Sequence, residues 1–212
     1  MCQAALDESG DHAVACPCGP LAVARHEDAA DVWADIFEET GATARRELYV
    51  HALSTPAKEA WLDITTYGVR ELAGFLFDVT VRHPRETRYL PASALEDGAC
   101  ARSAAGEKAD RYSSRLGATV VALCHETWGR LGEEAERVLA LCSAVAARRD
   151  YRRGRQPGQR MRRWRAQLDA ALHKAVAAQL FSARCGLGGR PHRRRSPLDV
   201  SALEATAPWP VE

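Results

Sequence analysis

Apolar residues recur along this chain with two periods, and the switch between them outlines the fold. Over residues 27–40, Val32, Trp33, Ile36 and Phe37 fall on one helical face and acids fill the other. Glu27, Asp28 and Asp31 sit in its first turns, where the helix dipole favours negative charge, and Gly41 can end it. Three strand-like runs follow. Glu47–Leu53 is short and mixed, and Trp61–Tyr67 is rich in β-favouring types. Residues 74–81, Gly-Phe-Leu-Phe-Asp-Val-Thr-Val, give the strongest strand signal and stop before Pro84. Residues 91–116 are Ala-rich and read as a helix broken or started near Gly98 and Gly106. Residues 118–124 form another apolar strand. Leu131, Ala135, Val138, Leu139, Cys142 and Val145 then trace an amphipathic helix, and Trp164, Leu168, Ala171, Leu172 and Ala175 trace a last one. The order predicts an α/β fold, a small mixed sheet flanked by helices, with an extra basic C-terminal helix.

Charge divides the chain. Residues 1–140 hold 14 Lys/Arg and 23 Asp/Glu, a net of −9, whereas residues 141–212 carry a net of +10. Residues 148–165 concentrate nine arginines: Arg148, Arg149, Arg152, Arg153, Arg155, Arg160, Arg162, Arg163 and Arg165. Arginine suits bidentate phosphate contacts, so this segment is a candidate DNA or RNA contact with strong salt dependence. It also suits the opposite role of neutralising the protein's own acidic body. Arg193-Arg194-Arg195 is a candidate nuclear signal. The expected organisation is a knuckle-like segment over 1–26, an α/β domain over 27–146, a basic helical extension over 147–185 and a flexible tail over 186–212. No run approaches the length of a membrane span, no signal peptide opens the chain, and seven mostly scattered cysteines fit reduced thiols. A nuclear or cytoplasmic, non-membrane protein is expected.

Two aspartates interrupt apolar strands, Asp63 in Trp-Leu-Asp-Ile-Thr and Asp78 in Leu-Phe-Asp-Val-Thr-Val. Buried carboxylates are costly unless paired or bound to a cation. A hairpin of the two strands would bring both to one place and offer Mg²⁺ the oxygen ligands it prefers. Lys108 on the following helix could steady a phosphate or an attacking water. The bland alternative leaves each Asp on the solvated face of an edge strand. Near the N-terminus, Cys2, His12, Cys16 and either His26 or Cys18 could hold a structural Zn²⁺. His125 reads as a structural histidine at a strand end, and Glu126 as a further acid near the sheet.

In this order the motifs resemble the C-terminal region of non-LTR retrotransposon polyproteins, where a CCHC-type zinc knuckle precedes a restriction-like endonuclease of the PD-(D/E)XK type. The resemblance runs from Gly10-Asp11-His12-Ala13-Val14-Ala15-Cys16 and Arg25-His26 through Asp63 and Asp78 to Lys108…Tyr112 and Cys124-His125-Glu126-Thr127-Trp128-Gly129-Arg130-Leu131-Gly132. It covers about residues 2–145. Lys58-Glu59-Ala60-Trp61-Leu62 replaces the Arg-Pro that precedes the family's first acid, and Thr80 stands where many such nucleases carry Lys. The resemblance implies Mg²⁺-dependent DNA nicking by Asp63, Asp78 and Lys108, with Glu126 as a possible further ligand. It also implies a truncated or degenerate remnant of such a polyprotein. Two other functions stay open: a nucleic-acid-binding remnant without turnover, and a protein-interaction module whose acidic and basic parts pair.

Overall fold

A computed structural model describes residues 7–16, 20–55, 59–112, 119–151 and 157–185. The elements run α1 (Asp11–Ala15), α2 (Pro20–Thr40), β1 (Thr43–Tyr49), β2 (Trp61–Tyr67), β3 (Phe75–Arg82), α3 (Leu90–Ser93), α4 (Ala99–Tyr112), β4 (Thr119–Glu126), α5 (Glu133–Arg149) and α6 (Pro157–Cys185). The strands form one mixed sheet in the order β1-β2-β3-β4. β1, β2 and β3 pair antiparallel, and β4 returns parallel to β3 after the α3–α4 crossover. The expected mixed sheet flanked by helices is what the chain forms.

Burial explains the layers. Ala29, Ala30, Trp33, Ile36, Phe37 and Thr40 recur with helical spacing on α2 and are buried. They meet Ile64, Phe77, Val79 and Val81 from the sheet and Val138, Leu139 and Cys142 from α5 in one core. On the opposite sheet face, Ala101 and Ala104 of α4 pack on Ala122 and Cys124 of β4. Small residues on both sides let this helix lie close. α2 stops where Gly41 adopts φ 97°, a left-handed conformation that costs glycine little, and Ala42 N–H closes back on Phe37 O at 3.2 Å.

Three sequence expectations change. First, the N-terminal segment is not an irregular knuckle where it is described. The Asp7 carboxylate accepts the Asp11 and His12 amides at 2.8 and 2.6 Å and starts α1, while α2 begins at Pro20, well before residue 27. The His12 amide chiefly, with Ser9 and the neighbouring amides, holds that carboxyl down at about 2. Second, of the two breaks expected in 91–116, the one at Gly98 separates α3 from α4, with φ 75°, whereas Gly106 lies inside α4. The first strand also begins earlier than Glu47, at Thr43. Third, α6 is not an extension. Trp164, Leu168 and Leu172 are fully buried in the same core as Trp33 and Phe37. The tail over 186–212 lies outside the described residues. Among the described residues, no helix is long and apolar enough to cross a membrane.

Candidate functional site

The sheet forks at Asp63. On one side β1 and β2 pair at Arg46↔Ile64 and Leu48↔Leu62, and Glu47 between them is bent to φ 57°. On the other, β2 pairs with β3 at Ile64↔Phe77 and Thr65↔Leu76 and then departs. Val79 of β3, just beyond the fork, donates its amide to Asp63 Oδ2 at 2.6 Å. A side-chain carboxylate thus does the job of a missing strand partner. Asp63 Oδ1 lies 2.9 Å from His26 Nε2 on α2, and Arg46 Nε donates to the Asp63 carbonyl at 3.1 Å. Burial pushes the Asp63 carboxyl up, but the hydrogen bond and charge of His26, helped by the Val79 amide, hold it below the usual carboxylate range. Burial likewise pulls His26 down, and Asp63 with Glu27 overcomes this and raises it. The pair is therefore best written as imidazolium donating to carboxylate.

Asp78 precedes Val79 on the central strand and is 3% exposed. Lys108 Nζ donates to both its oxygens, at 2.8 and 2.9 Å, and the Tyr112 hydroxyl donates to Oδ2 at 2.7 Å. Lys108 and Tyr112 are one turn apart on α4, so a single helix face delivers both. Burial pushes the Asp78 carboxyl up; the Lys108 charge opposes this and the Asp63 charge adds to it. Burial, and then the charge and hydrogen bond of Asp78, push the Tyr112 phenol up. One cavity of about 450 Å³ is lined by Asp63, Asp78, His26, Lys108 and Tyr112, with Trp61 also on its wall. Two neighbouring carboxyls pushed in opposite directions within one cavity form an arrangement suited to acid–base or cation chemistry.

The sequence-predicted acids therefore converge, and Lys108 joins them. Glu126 does not. In the parallel register Asp78 faces Ala122 and Arg82 faces Glu126, which places Glu126 about 13 Å further along the sheet. Its carboxylate instead accepts the Ala101 amide in the first turn of α4 at 3.2 Å and has Arg130 Nε at 3.8 Å. Glu126 anchors the crossover helix. His125 is structural as expected: it is fully buried and accepts from Trp33 Nε1 at 2.7 Å through Nε2. Burial depresses its ring to about 3.

The zinc set does not assemble where it is described. His26 belongs to the Asp63 pair, Cys16 follows α1, and Cys2 and Cys18 lie outside the described residues. Among the described residues no group of three or more His, Cys, Asp or Glu is placed to hold a metal. The two-carboxylate donor set of Asp63 and Asp78 still fits Mg²⁺, which takes one or two protein carboxylates and completes its shell with water and phosphate oxygens.

Four of the six described arginines of the basic segment pair with the protein's own acids, three of them at the surface. Arg148 meets Glu71 at 2.9 Å and Arg160 meets Asp150 at 2.5 Å, while Arg163 pairs with Glu39 and Arg165 with Glu136. Trp164 Nε1 also donates to Glu39, at 2.9 Å. Arg149 lies against Gly41 at the end of α2. Arg162 is exposed on α6, and Arg152, Arg153 and Arg155 lie outside the described residues. The self-neutralising alternative accounts for the described ion pairs.

Sequence reasoning missed the role of His26, because its proximity to Cys16 and Cys18 suggested zinc. It also missed Arg25 and Arg82, which line the same cavity. Their only sequence signal was placement: Arg25 adjoins His26, and Arg82 follows Asp78 on the same strand with the same side-chain parity. Compared with known proteins, the chain matches no family model and no curated protein sequence.

Proposed function

We propose that this protein is a Mg²⁺-dependent, restriction-like endonuclease that hydrolyses DNA phosphodiester bonds at Asp63 and Asp78. One observation carries the reading: the two acids reach a single cavity from a forked sheet, and Lys108 enters it from the crossover helix. The order Asp, Asp, then a helical Lys is also the order of the family that the sequence resembles. Mg²⁺, when bound, supplies electrostatic stabilisation of the phosphate and activation of water.

The chain's own residues do the rest. Asp63, held ionised by His26, is the permanent anionic ligand. Asp78 would hold the cation together with Asp63, and Tyr112 keeps one of its oxygens aligned. Lys108 holds its ammonium at the carboxylate end of the cavity, where it would balance the charge that develops on the phosphate.

A second reading has a specific observation in its favour. Lys108 closes on both Asp78 oxygens and leaves the acid satisfied without a cation, an arrangement suited to binding nucleic acid without turnover. Supercoiled plasmid separates the two. The nuclease reading expects Mg²⁺-dependent nicking that falls by at least about 100-fold in Asp78→Asn and Lys108→Met. Salt-sensitive plasmid binding by folded protein, with no nicking in Mg²⁺ or Mn²⁺, would establish the second reading and overturn the first.

A further inference from the structure

Beyond the acid pair, the same cavity holds a second charged cluster that the hydrolytic reading does not use. β3 continues past the fork through Val79, Thr80, Val81 and Arg82, and these residues line the cavity together with Arg25 from α2. Arg25 is 6% exposed. Its Nη1 donates to neutral acceptors, the Val14 carbonyl at 2.9 Å and Gln179 Oε1 at 2.8 Å. Arg82 Nη1 reaches the Val81 carbonyl at 3.5 Å. The Nε of each guanidinium is buried with no hydrogen-bond partner.

Neither cation forms an ion pair with a carboxylate among the described residues. Glu86 is the acid whose charge reaches Arg25, and it lies 3.0 Å from Arg88 Nε. Burial, and then the charge of Arg82, pull Arg25 down to about 10. Arg82 also bonds the Tyr89 side chain, but two guanidiniums that repel one another at the wall of a cavity, each with its Nε unsatisfied, cost stability in the free protein. That cost is relieved by an oxyanion, which takes parallel N–H donors from arginine in a planar fork.

We propose that Arg25 and Arg82 form a phosphate subsite, separate from the acid pair, for a tetrahedral oxyanion carried by a polyanionic ligand. Arg82 lies about 13 Å along β3 from Asp78, so the group bound here is not the one at the carboxylates. If the nuclease reading holds, the subsite grips a neighbouring phosphate of the same strand and fixes its direction through the cavity. The subsite itself rests on the two arginines and stands whether or not the acids are hydrolytic.

Inorganic phosphate is the probe, titrated into the full chain without divalent cation at constant ionic strength and followed by calorimetry. Saturable binding is expected, weakened at least tenfold in Arg82→Gln and less in Arg82→Lys. It should stay within about twofold in Arg137→Ala, whose guanidinium pairs with Glu133 and Glu134 on α5 away from the cavity. Arg25 tethers α1 and α6, so Arg82 carries the test, and circular dichroism confirms that each variant is folded. Absence of saturable phosphate binding in folded wild-type protein overturns the proposal. So does an Arg82→Gln variant that binds as well as wild type, or an Arg137→Ala variant that loses binding equally. Plasmid nicking measured alongside keeps the two readings apart: phosphate binding without nicking removes the nuclease and leaves the subsite, and nicking without phosphate binding does the reverse.

Discussion

Replacing Lys108 by Met tests whether the buried Asp78 carboxylate depends on its ammonium partner. The substitution keeps the apolar stem and deletes both hydrogen bonds to Asp78, leaving the Tyr112 hydroxyl as the remaining donor. Removing one partner of a buried pair costs about 3 to 5 kcal/mol, and the retained Tyr112 contact favours the lower end, about 3 kcal/mol. Protonation of Asp78 caps the loss. Neutralising a carboxyl of ordinary pKa near 3.9 costs about 4 kcal/mol at pH 7 but only about 1.5 kcal/mol at pH 5. Burial already pushes Asp78 up, and loss of the Lys108 charge pushes it further. A carboxyl raised in the folded state binds its proton more tightly there, so the variant is most stable at low pH and weakens as pH rises through that value. Urea unfolding at 25 °C should show a deficit of about 3 kcal/mol at pH 7 that shrinks below about 1.5 kcal/mol at pH 5, with an unchanged m value. A deficit under about 1 kcal/mol at pH 7, or one equal at both pH values, would refute this account of the site.

The other predictions concern the frame around the cavity. Leu168→Ala should cost about 2 to 5 kcal/mol in urea unfolding, because the side chain is fully buried between helices; a loss under about 1 kcal/mol would restore α6 to a detachable extension. Glu126→Gln should leave nicking within about threefold of wild type while lowering stability, since the group holds the start of α4; a 100-fold loss of nicking would return it to the catalytic set. The His125 ring, depressed to about 3, must charge on unfolding, so its contribution is present above the ordinary histidine value and is lost as pH falls from about 6.5 toward 3. His125→Asn should flatten that part of the acid titration of stability. Arg163→Ala and Arg165→Ala should each change stability by about 1 kcal/mol or less, as exposed pairs do, and a larger effect would make these pairs structural anchors.

Much of this was legible before any coordinates. The alternation of Phe77, Val79 and Val81 against Asp78 and Thr80 located the central strand, and the helical stripes of α2, α5 and α6 located their buried faces. The convergence of Asp63 with Asp78 was also legible, because a carboxylate within an apolar strand demands a partner. Long-range pairing was not. His26 meets an acid 37 positions away through the packing of α2 on the fork, and local spacing pointed to cysteines instead. Glu126 was misread because strand parity gives the face of the sheet but not the position along it, which the parallel register sets. The partners of the arginine cluster were not legible, because one-dimensional charge density cannot show that Glu39, Glu71, Glu136 and Asp150 stand opposite it.

The tie made by Arg25 has a consequence for how the cavity comes into being. One guanidinium bridges the carbonyl of Val14 near the start of the chain to Gln179 near the end of α6, across 154 positions of separation from the latter. A ribosome must therefore release nearly the whole described fold before both ends of this tie are in place. The acids, the lysine and the tyrosine all emerge earlier, and the Arg25 side of the cavity gains its Gln179 anchor only when the last helix docks.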